Sequence, residues 1–454
     1  MKRILFVLVA FFTVSLFAQQ DTLRYRITLT DKRPTTYSLE RPQEFLSEKA
    51  IARRLKQQLS IDSTDIPVCR EYVEAIRKTG VKVVATGKWE NFITVSCNDT
   101  TLIDDIAAFP FVRETQKVWK QSLERLEKKK ANKRDSITNQ IAELEGWYGA
   151  AYQQIEMNKG EKLHEAGFKG EGMTIAVVDA GFHNADRIGG LDNVKVLGVR
   201  DFVNPDGDLF AENDHGLKVF SCMAMNKPHI MVGTAPEASY WLLRSEDDYS
   251  EYPVEQDYWA AAVEFADSVG VDVINTSLGY SKFDDKSMNY NYRNLDGRFA
   301  MMSRQASRLA DKGIILVCSA GNEGAGSWKK ITPPGDADNV LTVGAIAKNT
   351  QLAPFSSIGN TADNRIKPDV VAVGMFADVM NTNGELTMAN GTSFATPILC
   401  GMVTCLWQAL PHLTAKQLIE LVRASGDRAN HPDNIYGYGA PDVWKAYQIG
   451  KEIK

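Results

Sequence analysis

The sequence has few cysteines and few histidines, and it has no long apolar run after its first eighteen residues. Six cysteines among 454 residues exclude a disulfide scaffold, although Cys69 and Cys97 could pair, and no spacing suggests a metal site. A net charge of -5 gives no argument for nucleic acid or anionic membrane as a partner. No predicted strand leads into the glycine pattern of a dinucleotide site. The remaining expectation is a protein of more than one domain with an ordinary apolar fraction of 44%.

The first eighteen residues have the pattern of a signal peptide. Lys2 and Arg3 precede a nearly apolar run that ends at Ala18, and this run is shorter than the roughly twenty residues that span a bilayer. The alternative is a single N-terminal membrane anchor. We predict a signal peptide over 1–18, no stable membrane anchor, and a secreted or periplasmic protein.

Residues 19–120 form a different domain from the rest of the chain. Alternating apolar residues predict strands, and longer amphipathic segments predict helices. The predicted strands cover 25–29, 82–85 and 92–96, and the predicted helices cover 44–58, 70–77 and 102–108. Residues 121–149 follow as a region crowded with charge, for which a solvated helix or linker is the ordinary interpretation. The N-terminal part is therefore predicted to be a small α+β unit.

Residues 391–397, Gly-Thr-Ser-Phe-Ala-Thr-Pro, are the most informative segment. An apolar run with helical spacing follows them, and Pro397 suits the first turn of a helix. Ser393 is thus expected at a helix N-terminus, where unpaired N–H groups favour a developing negative charge. The alternative is an ordinary serine at a helix start.

Three other polar residues stand where an apolar run gives way to a turn or a helix. Asp179 ends the run that begins at Thr174, His215 precedes an apolar helical pattern, and Asn322 follows the run that begins at Ile314. Singly, Asp179 and Asn322 could be turn residues and His215 a polar residue at a helix start. The other five histidines are expected at the surface or in loops: His164, His183, His229, His412 and His431.

Asp, His, Asn and Ser in this order resemble the subtilase family of serine peptidases. The resemblance covers about 150–446, and it departs from the usual pattern at Ala180, which follows the Asp, at Leu217, and at Val373. It implies that Asp179, His215 and Ser393 form the catalytic triad and that Asn322 stabilises the oxyanion, with no cofactor. It further implies that the substrate binds along two segments, Ser277-Leu278-Gly279 and Ser319-Ala320-Gly321.

The resemblance also assigns the N-terminal regions. The unit over 19–120 lies where subtilases carry an inhibitory propeptide, and 121–149 would then contain the processing region; the alternative is a binding domain that stays attached. Many subtilases bind structural Ca²⁺ through loops such as 204–208, but no specific motif supports this here and an ordinary turn is preferred. The expected partners are polypeptide substrates and the propeptide itself.

The peptidase domain is expected over 150–454 as a three-layer α/β/α fold with a mainly parallel sheet. Seven apolar runs alternate with helical segments, which is typical of a parallel sheet covered on both faces. They cover 173–179, 194–202, 238–245, 271–279, 313–319, 340–347 and 368–373. We expect an exported serine endopeptidase; the alternative is a catalytically inactive binding or scaffolding protein on the same fold.

Overall fold

A computed structural model describes residues 22–121, 134, 136–139 and 141–453. The predicted signal peptide, and most of the charged region between 121 and 134, lie outside the described residues. Within the part that is described, the chain forms eleven α-helices and fifteen strands. None of these helices is both long enough and apolar enough to cross a bilayer.

The N-terminal unit is an antiparallel sheet covered by helices. Its four strands pair in the order β2–β3–β1–β4. The elements are β1 (Leu23–Leu29), α1 (Glu48–Lys56), α2 (Arg70–Lys78), β2 (Lys82–Gly87), β3 (Phe92–Cys97), α3 (Thr101–Ala107) and β4 (Val112–Lys120). Six of these elements match the predicted ones. The edge strand β4 was not predicted, because most of its residues are charged or polar and solvent-accessible, which hides the alternation.

All seven predicted apolar runs of the second domain form one parallel sheet. Its order is β13–β12–β11–β10–β5–β9–β6, and the strand pairs are parallel throughout. The strands are β5 (Thr174–Asp179), β6 (Lys195–Asp201), β9 (Ser239–Arg244), β10 (Val273–Thr276), β11 (Ile315–Ser319), β12 (Leu341–Ile346) and β13 (Val370–Val373). Two short hairpins complete the strands: β7 (Asn226–Lys227) with β8 (Met231–Val232), and β14 (Ala377–Met380) with β15 (Leu386–Ala389).

Helices cover both faces of this sheet. On the first face lie α4 (Tyr152–Glu156), α5 (Gly160–Glu165), α6 (His215–Ala224), α9 (Thr392–Ala409), α10 (Ala415–Ser425) and α11 (Val443–Gly450), and on the second lie α7 (Val254–Val269) and α8 (Met301–Leu309). Alternate strand residues point to opposite faces, so Ile175 and Val177 pack on the first face while Ala176 and Val178 pack on the second. The predicted three-layer fold is therefore present.

The cysteines are free thiols and buried, so Cys69 and Cys97 do not pair. The expectation that the remaining histidines lie at the surface or in loops is wrong for His164, which is buried within helix α5, whereas His183 is buried but lies in a loop. Burial of His164 is tolerated because both ring nitrogens have hydrogen-bond partners. Nδ1 lies 3.0 Å from the hydroxyl of Tyr148, and Nε2 lies 3.0 Å from the carbonyl oxygen of Thr234. Burial lowers the pKa of His164 to about 4, so the ring is neutral.

The N-terminal unit docks on helix α7 through three buried carboxylates spaced along one side of the helix. Asp257 pairs with Arg26 and accepts from Thr94 Oγ1 at 2.7 Å. Glu264 accepts the backbone N–H groups of residues 88 and 89 at 2.6 and 2.9 Å. Three buried carboxylates in one interface are tolerated because partners from the N-terminal unit hydrogen bond to them.

Asp267 is the most heavily paired of the three. Its carboxylate contacts Arg53 at 2.5 Å, Arg54 at 2.9 Å and Lys88 at 3.3 Å, and it is fully buried. Burial alone would raise the pKa of Asp267, but the charges of Lys88, Arg53 and Arg54 outweigh it and hold the pKa below its ordinary value. Apolar contacts add to the interface, because Trp89 and Trp119 pack into the core on the α7 side of the sheet.

Replacing Asp267 by Ala should destabilise the docked N-terminal unit by about 3–5 kcal/mol, because it removes the carboxylate that pairs with the buried Arg53 and with Lys88 and leaves Arg54 with Asp65 alone. Denaturant unfolding of the full chain in a Ser393→Ala background measures this. The matched control is Glu44→Ala, which removes an exposed ion pair with Arg41 and should cost less than about 1 kcal/mol. Equal losses in the free energy of unfolding for the two substitutions would contradict the proposed contribution of Asp267 to the interface.

Candidate active site

Asp179 and His215 form a hydrogen-bonded pair at the carboxyl edge of the sheet. Asp179 is the last residue of β5 and is fully buried, and His215 is the first residue of α6. The Nδ1 atom of the imidazole lies 2.7 Å from Asp179 Oδ1, and the His215 side chain is 31% exposed. The start of α6 is fixed by Asn213, whose Oδ1 accepts the backbone N–H of His215 at 2.7 Å. The ring is thus held on one side and open to solvent on the other.

The second oxygen of the Asp179 carboxylate has no hydrogen-bond partner among the described residues. The other oxygen, Oδ1, accepts two hydrogen bonds: one from the imidazole of His215 and one from the backbone N–H of Ala180, the latter at 2.8 Å. Ala180 is the position at which the sequence departs from the usual Thr or Ser, so no hydroxyl is available from this residue. Its carbonyl oxygen is fixed by the buried Arg244, whose Nε donates at 2.8 Å. The backbone around Asp179 is therefore held firmly although one carboxylate oxygen is left unpaired.

Ser393 is the second residue of helix α9, as the sequence predicted for a helix N-terminus. Its hydroxyl donates to the carbonyl oxygen of Ser277 at 3.0 Å, and the hydroxyl of Ser277 donates in return to the carbonyl oxygen of Ser393 at 2.9 Å. The serine hydroxyl is thus directed to the end of strand β10 in this structure. The hydroxyl has to turn from this carbonyl to the imidazole before a proton can pass between them.

Asn322 follows strand β11 and is oriented by the residue before Ser393. Its Oδ1 accepts both the backbone N–H and the hydroxyl of Thr392, at 2.9 and 3.0 Å. With the carbonyl end of the amide used in this way, the NH₂ end faces the cleft. A donor in this position, beside the backbone N–H of Ser393 in the first turn of the helix, suits an oxyanion.

A cleft of about 480 Å³ joins these groups. His215, Asn322 and Ser393 line it, with Asp179 buried behind His215. Five of the six residues predicted to bind substrate also line it: Ser277, Leu278, Gly279, Ser319 and Gly321. The structure places the sixth, Ala320, differently, because its side chain is buried in a hydrophobic cluster with Leu295 and Ile331.

The cleft is acidic, and its negative charges raise the pKa values of His215 and Glu246. Burial lowers the pKa of His215, but the charge and hydrogen bond of Asp179 and the charge of Glu246 outweigh it and raise the pKa to about 9. Burial, and then the charge of Asp179, raise the pKa of Glu246 to about 8. Glu246 Oε1 accepts a hydrogen bond from Tyr280 at 3.2 Å.

Glu246 and Thr332 are among the cleft residues that were not predicted from the sequence. Glu246 stands just after β9, so its place at the carboxyl edge of a parallel strand was a signal that could have indicated it. Thr332 lies in a loop between β11 and β12, and nothing in the local pattern indicates that this loop returns to the cleft.

No group of three or more His, Cys, Asp or Glu side chains in the described part of the chain is arranged to hold a metal ion. The loop over 204–208, considered for Ca²⁺, forms a turn in which Gly207 N–H donates to Asn204 O at 2.8 Å. Asp208 caps the following short helix and pairs with Arg134 at 2.8 Å. The carboxylate of Asp208 is thus used within the protein.

Two family models match the chain. The model of the subtilase family matches residues 170–439, and the model of a peptidase S8 propeptide domain of Bacteroidota matches residues 24–136. The first match spans more than half of the chain and contains all four predicted catalytic positions.

Several curated proteins are similar over the same region. Subtilisin DY of Bacillus licheniformis is 28% identical over 302 residues, which is 65% of this chain and 97% of that protein. The serine protease AprX of Bacillus subtilis is 28% identical over 320 residues, 60% of this chain and 65% of AprX. Subtilisin E of Bacillus subtilis is 27% identical over 288 residues, 63% of this chain and 68% of that protein. The chain thus spans slightly less than two thirds of AprX but nearly all of subtilisin DY.

Solved structures share the fold at lower identity. MycP1 with its N-terminal propeptide removed has a TM-score of 0.52 and 22% identity, covering 65% of this chain and 96% of that structure. The MycP3 protease from the type VII (ESX-3) secretion system has a TM-score of 0.52 and 21% identity, covering 69% of this chain and 94% of that structure. Together with the family matches, the fold and the site show that this chain belongs to the subtilase family of serine peptidases and carries an S8-type propeptide domain before its peptidase domain.

Proposed function

We propose that this subtilase is an exported serine endopeptidase that cleaves peptide bonds through an acyl-enzyme at Ser393. The observation that carries the proposal is the 2.7 Å hydrogen bond between buried Asp179 and His215, in the cleft that Ser393 also lines. A buried carboxylate bonded to one ring nitrogen leaves the other nitrogen to act on the serine.

In the first half of the reaction, Ser393 Oγ attacks the substrate carbonyl carbon and its proton passes to His215 Nε2. His215 then gives that proton to the leaving amine as the C–N bond breaks, and the acyl group stays on Oγ as an ester. In the second half, His215 takes a proton from water, the resulting hydroxide attacks the ester, and Ser393 Oγ regains the proton as the acid leaves. Asp179 fixes the tautomer and stabilises the imidazolium throughout.

The oxyanion that forms in each half would be held by two donors. These are the side-chain NH₂ of Asn322 and the backbone N–H of Ser393 in the first turn of α9. Each such donor contributes roughly 3–4 kcal/mol to lowering the barrier. The two Thr392 contacts to Asn322 Oδ1 support this role, because they fix the amide before substrate arrives.

The N-terminal unit is proposed to be a propeptide that inhibits the peptidase until it is cleaved off. The extensive buried interface on α7 supports this proposal, as does the family of the unit. The basic and apolar pattern of the first eighteen residues supports export to the periplasm or the cell exterior. The alternative, an inactive scaffold, gives no reason for a buried Asp179 paired with a half-exposed histidine.

Ser393→Ala and His215→Ala should each lower kcat by about 10⁶, and Asn322→Ala by roughly 10² to 10³ because the backbone donor remains. Steady-state hydrolysis of a fluorogenic peptide measures this, after the N-terminal unit of each inactive variant has been cleaved in trans by wild-type enzyme and the matured variant has been purified away from it. Ser425→Ala is the control, since Ser425 is also buried but ends helix α10 and does not line the cleft. If Ser393→Ala retained wild-type kcat, the proposed nucleophile would be wrong.

The pH dependence of kcat/KM should follow the neutral form of His215, because only the neutral imidazole accepts the serine proton. Since its pKa is raised to about 9, kcat/KM should rise with pH up to the alkaline range. Glu246→Gln removes a negative charge that favours the protonated ring, so the rise should move to lower pH. Glu323→Gln is the control, because Glu323 lines the same cleft but its carboxylate is paired with a lysine instead. Its Oε2 lies 3.8 Å from Lys282 Nζ. An identical pH profile for Glu246→Gln and wild type would contradict the proposed effect of the Glu246 charge on the pKa of His215.

Wild-type protein should release its N-terminal unit by cleavage between about residues 117 and 149, whereas Ser393→Ala should stay full-length in a clean host. The isolated unit should then inhibit mature enzyme in trans, and Asp267→Asn in the enzyme should weaken that inhibition because it removes the charge that Arg53, Arg54 and Lys88 share. Mass spectrometry of the mature N-terminus and an inhibition titration measure both. Active protein that still begins near residue 19 would exclude the propeptide.

A further inference from the structure

A cavity of about 650 Å³ lies between the N-terminal unit and the peptidase domain. Small-molecule sites in proteins have volumes of roughly 300–1,000 Å³. Strand β2 forms much of one wall, and the end of strand β6 and one side of helix α7 form the other. None of the lining residues is shared with the cleft of the candidate active site. The cavity is therefore a separate feature that exists where the two units meet.

Both walls contribute apolar side chains to the cavity. Val84 and Ala85 line it from the N-terminal unit, and Val199, Phe202 and Phe265 line it from the peptidase domain. The Val199 side chain is 41% exposed although it lies within a strand. Apolar surface that stays in contact with water gains free energy when an apolar group covers it. The walls thus suit the hydrocarbon part of a ligand.

The two carboxylates at the cavity already have partners. Glu264 accepts the backbone N–H groups of residues 88 and 89. Asp201 pairs with Arg244 at 2.9 Å through one oxygen, and its other oxygen accepts the backbone N–H groups of residues 203 and 204, both at 2.8 Å. Neither carboxylate is left to neutralise a further cation in the cavity.

Arg200 lines the cavity and has no carboxylate partner among the described residues. The other two cations of the lining, Lys88 and Arg77, form ion pairs at 3.3 and 2.9 Å. The Arg200 guanidinium carbon lies 4.8 Å from the ring centroid of Phe202 and 4.9 Å from that of Phe265. Contacts with aromatic rings hold the planar guanidinium in place and leave its N–H donors at its edge. The cavity therefore offers one oriented positive charge beside apolar walls.

A strand of another polypeptide is a poor fit to this cavity. Strands β2 and β6 are each at the edge of a sheet, and a free edge can pair with an added strand. However, the pairing of β2 shifts register at Val84, and that of β6 shifts register at Leu197. Such bulges interrupt the regular row of N–H and C=O groups that an added strand needs. A ligand that requires no backbone pairing is favoured.

We propose that this cavity binds an amphiphile with a carboxylate group, such as a medium-chain fatty acid. Its carboxylate pairs with Arg200, and its hydrocarbon chain lies between the apolar walls. A guanidinium and a carboxylate can form two parallel charge-assisted hydrogen bonds, which are among the stronger polar contacts in proteins. This geometry also explains why a cation stands in the cavity without a carboxylate of the protein.

The ligand would contact both units, so its binding and the docking of the N-terminal unit favour each other. A fatty acid in the cavity therefore holds the N-terminal unit on the peptidase domain and delays its release. This effect on release rests on the proposed function, whereas the binding itself requires no peptide cleavage.

The test uses sodium decanoate and the full-length Ser393→Ala chain, which is expected to stay uncleaved. Isothermal titration calorimetry, below the concentration at which decanoate forms micelles, should show saturable binding to one site. Arg200→Gln should weaken this binding about tenfold or more, because it removes the charge that pairs with the carboxylate. Arg293→Gln is the matched control and should bind as the parent chain does, since Arg293 is also exposed but does not line the cavity.

Two further measurements separate charge from shape and locate the site. The uncharged 1-decanol should bind about tenfold more weakly than decanoate. Ala261→Trp fills the cavity from helix α7 without changing a charge, and it should abolish decanoate binding. Hydrogen–deuterium exchange in the presence of decanoate should slow in both 82–87 and 195–201, the strands on either side of the cavity.

Three results would each overturn the proposed site: equal affinity of the parent chain and Arg200→Gln, equal affinity for decanoate and 1-decanol, or unchanged exchange in both strands. A wild-type enzyme that hydrolyses no peptide would instead overturn the proposed function. The fatty-acid site would then still stand on the binding data, and only its effect on release would fall.

Discussion

The parallel direction of all seven strands is the constraint on which the candidate site depends. Parallel strands end at the same edge of the sheet, and four adjacent strands (β11, β10, β5 and β9) deliver Ser319, Ser277, Asp179 and Glu246 to that edge in this order. Two helices then begin at the same edge, one with His215 and the other with Thr392 and Ser393. The chemistry therefore comes from chain segments far apart in sequence, because the sheet topology brings their ends together.

Helix α7 links this sheet to the N-terminal unit. One side of the helix packs against the second face of the sheet through Trp259, Val263 and neighbouring apolar residues. The other side carries the buried carboxylates at 257, 264 and 267, whose partners are supplied by the N-terminal unit. Upon the release proposed for the unit, these carboxylates would become exposed to water and solvated there, which costs little. The same arrangement can thus hold the two units together tightly and leave a soluble surface after they separate.

Much of this arrangement could be predicted from the sequence, because buried parallel strands are continuous apolar runs and need no long-range information to recognise. The seven runs and the helix start at Ser393 came from local patterns of this kind, whereas the roles of Asp179, His215, Asn322 and Ser393 came from the resemblance to the subtilase family. The edge strand β4 could not be predicted, because its charged residues face solvent. Thr332 and the burial of His164 also could not, since both depend on contacts between segments distant in sequence. Ala320 was expected to bind substrate, but its side chain is buried, and this burial also depends on a contact with a residue distant in sequence, Leu295.

The unpaired atoms of the site form a pattern of their own. Asp179 Oδ2 and Thr332 Oγ1 are buried without partners among the described residues, and the hydroxyl of Ser393 is bonded to Ser277 rather than to the imidazole. Other buried polar atoms of the described residues also lack partners, Arg24 Nε and Gln305 Oε1 among them, whereas His164 and Asp267 are well bonded. Folded proteins tolerate such exceptions where function requires them. In this cleft the parallel strand ends and the helix starts beside them hold Asp179, Ser393 and Asn322 at fixed positions, so the groups of the site are oriented before a substrate binds.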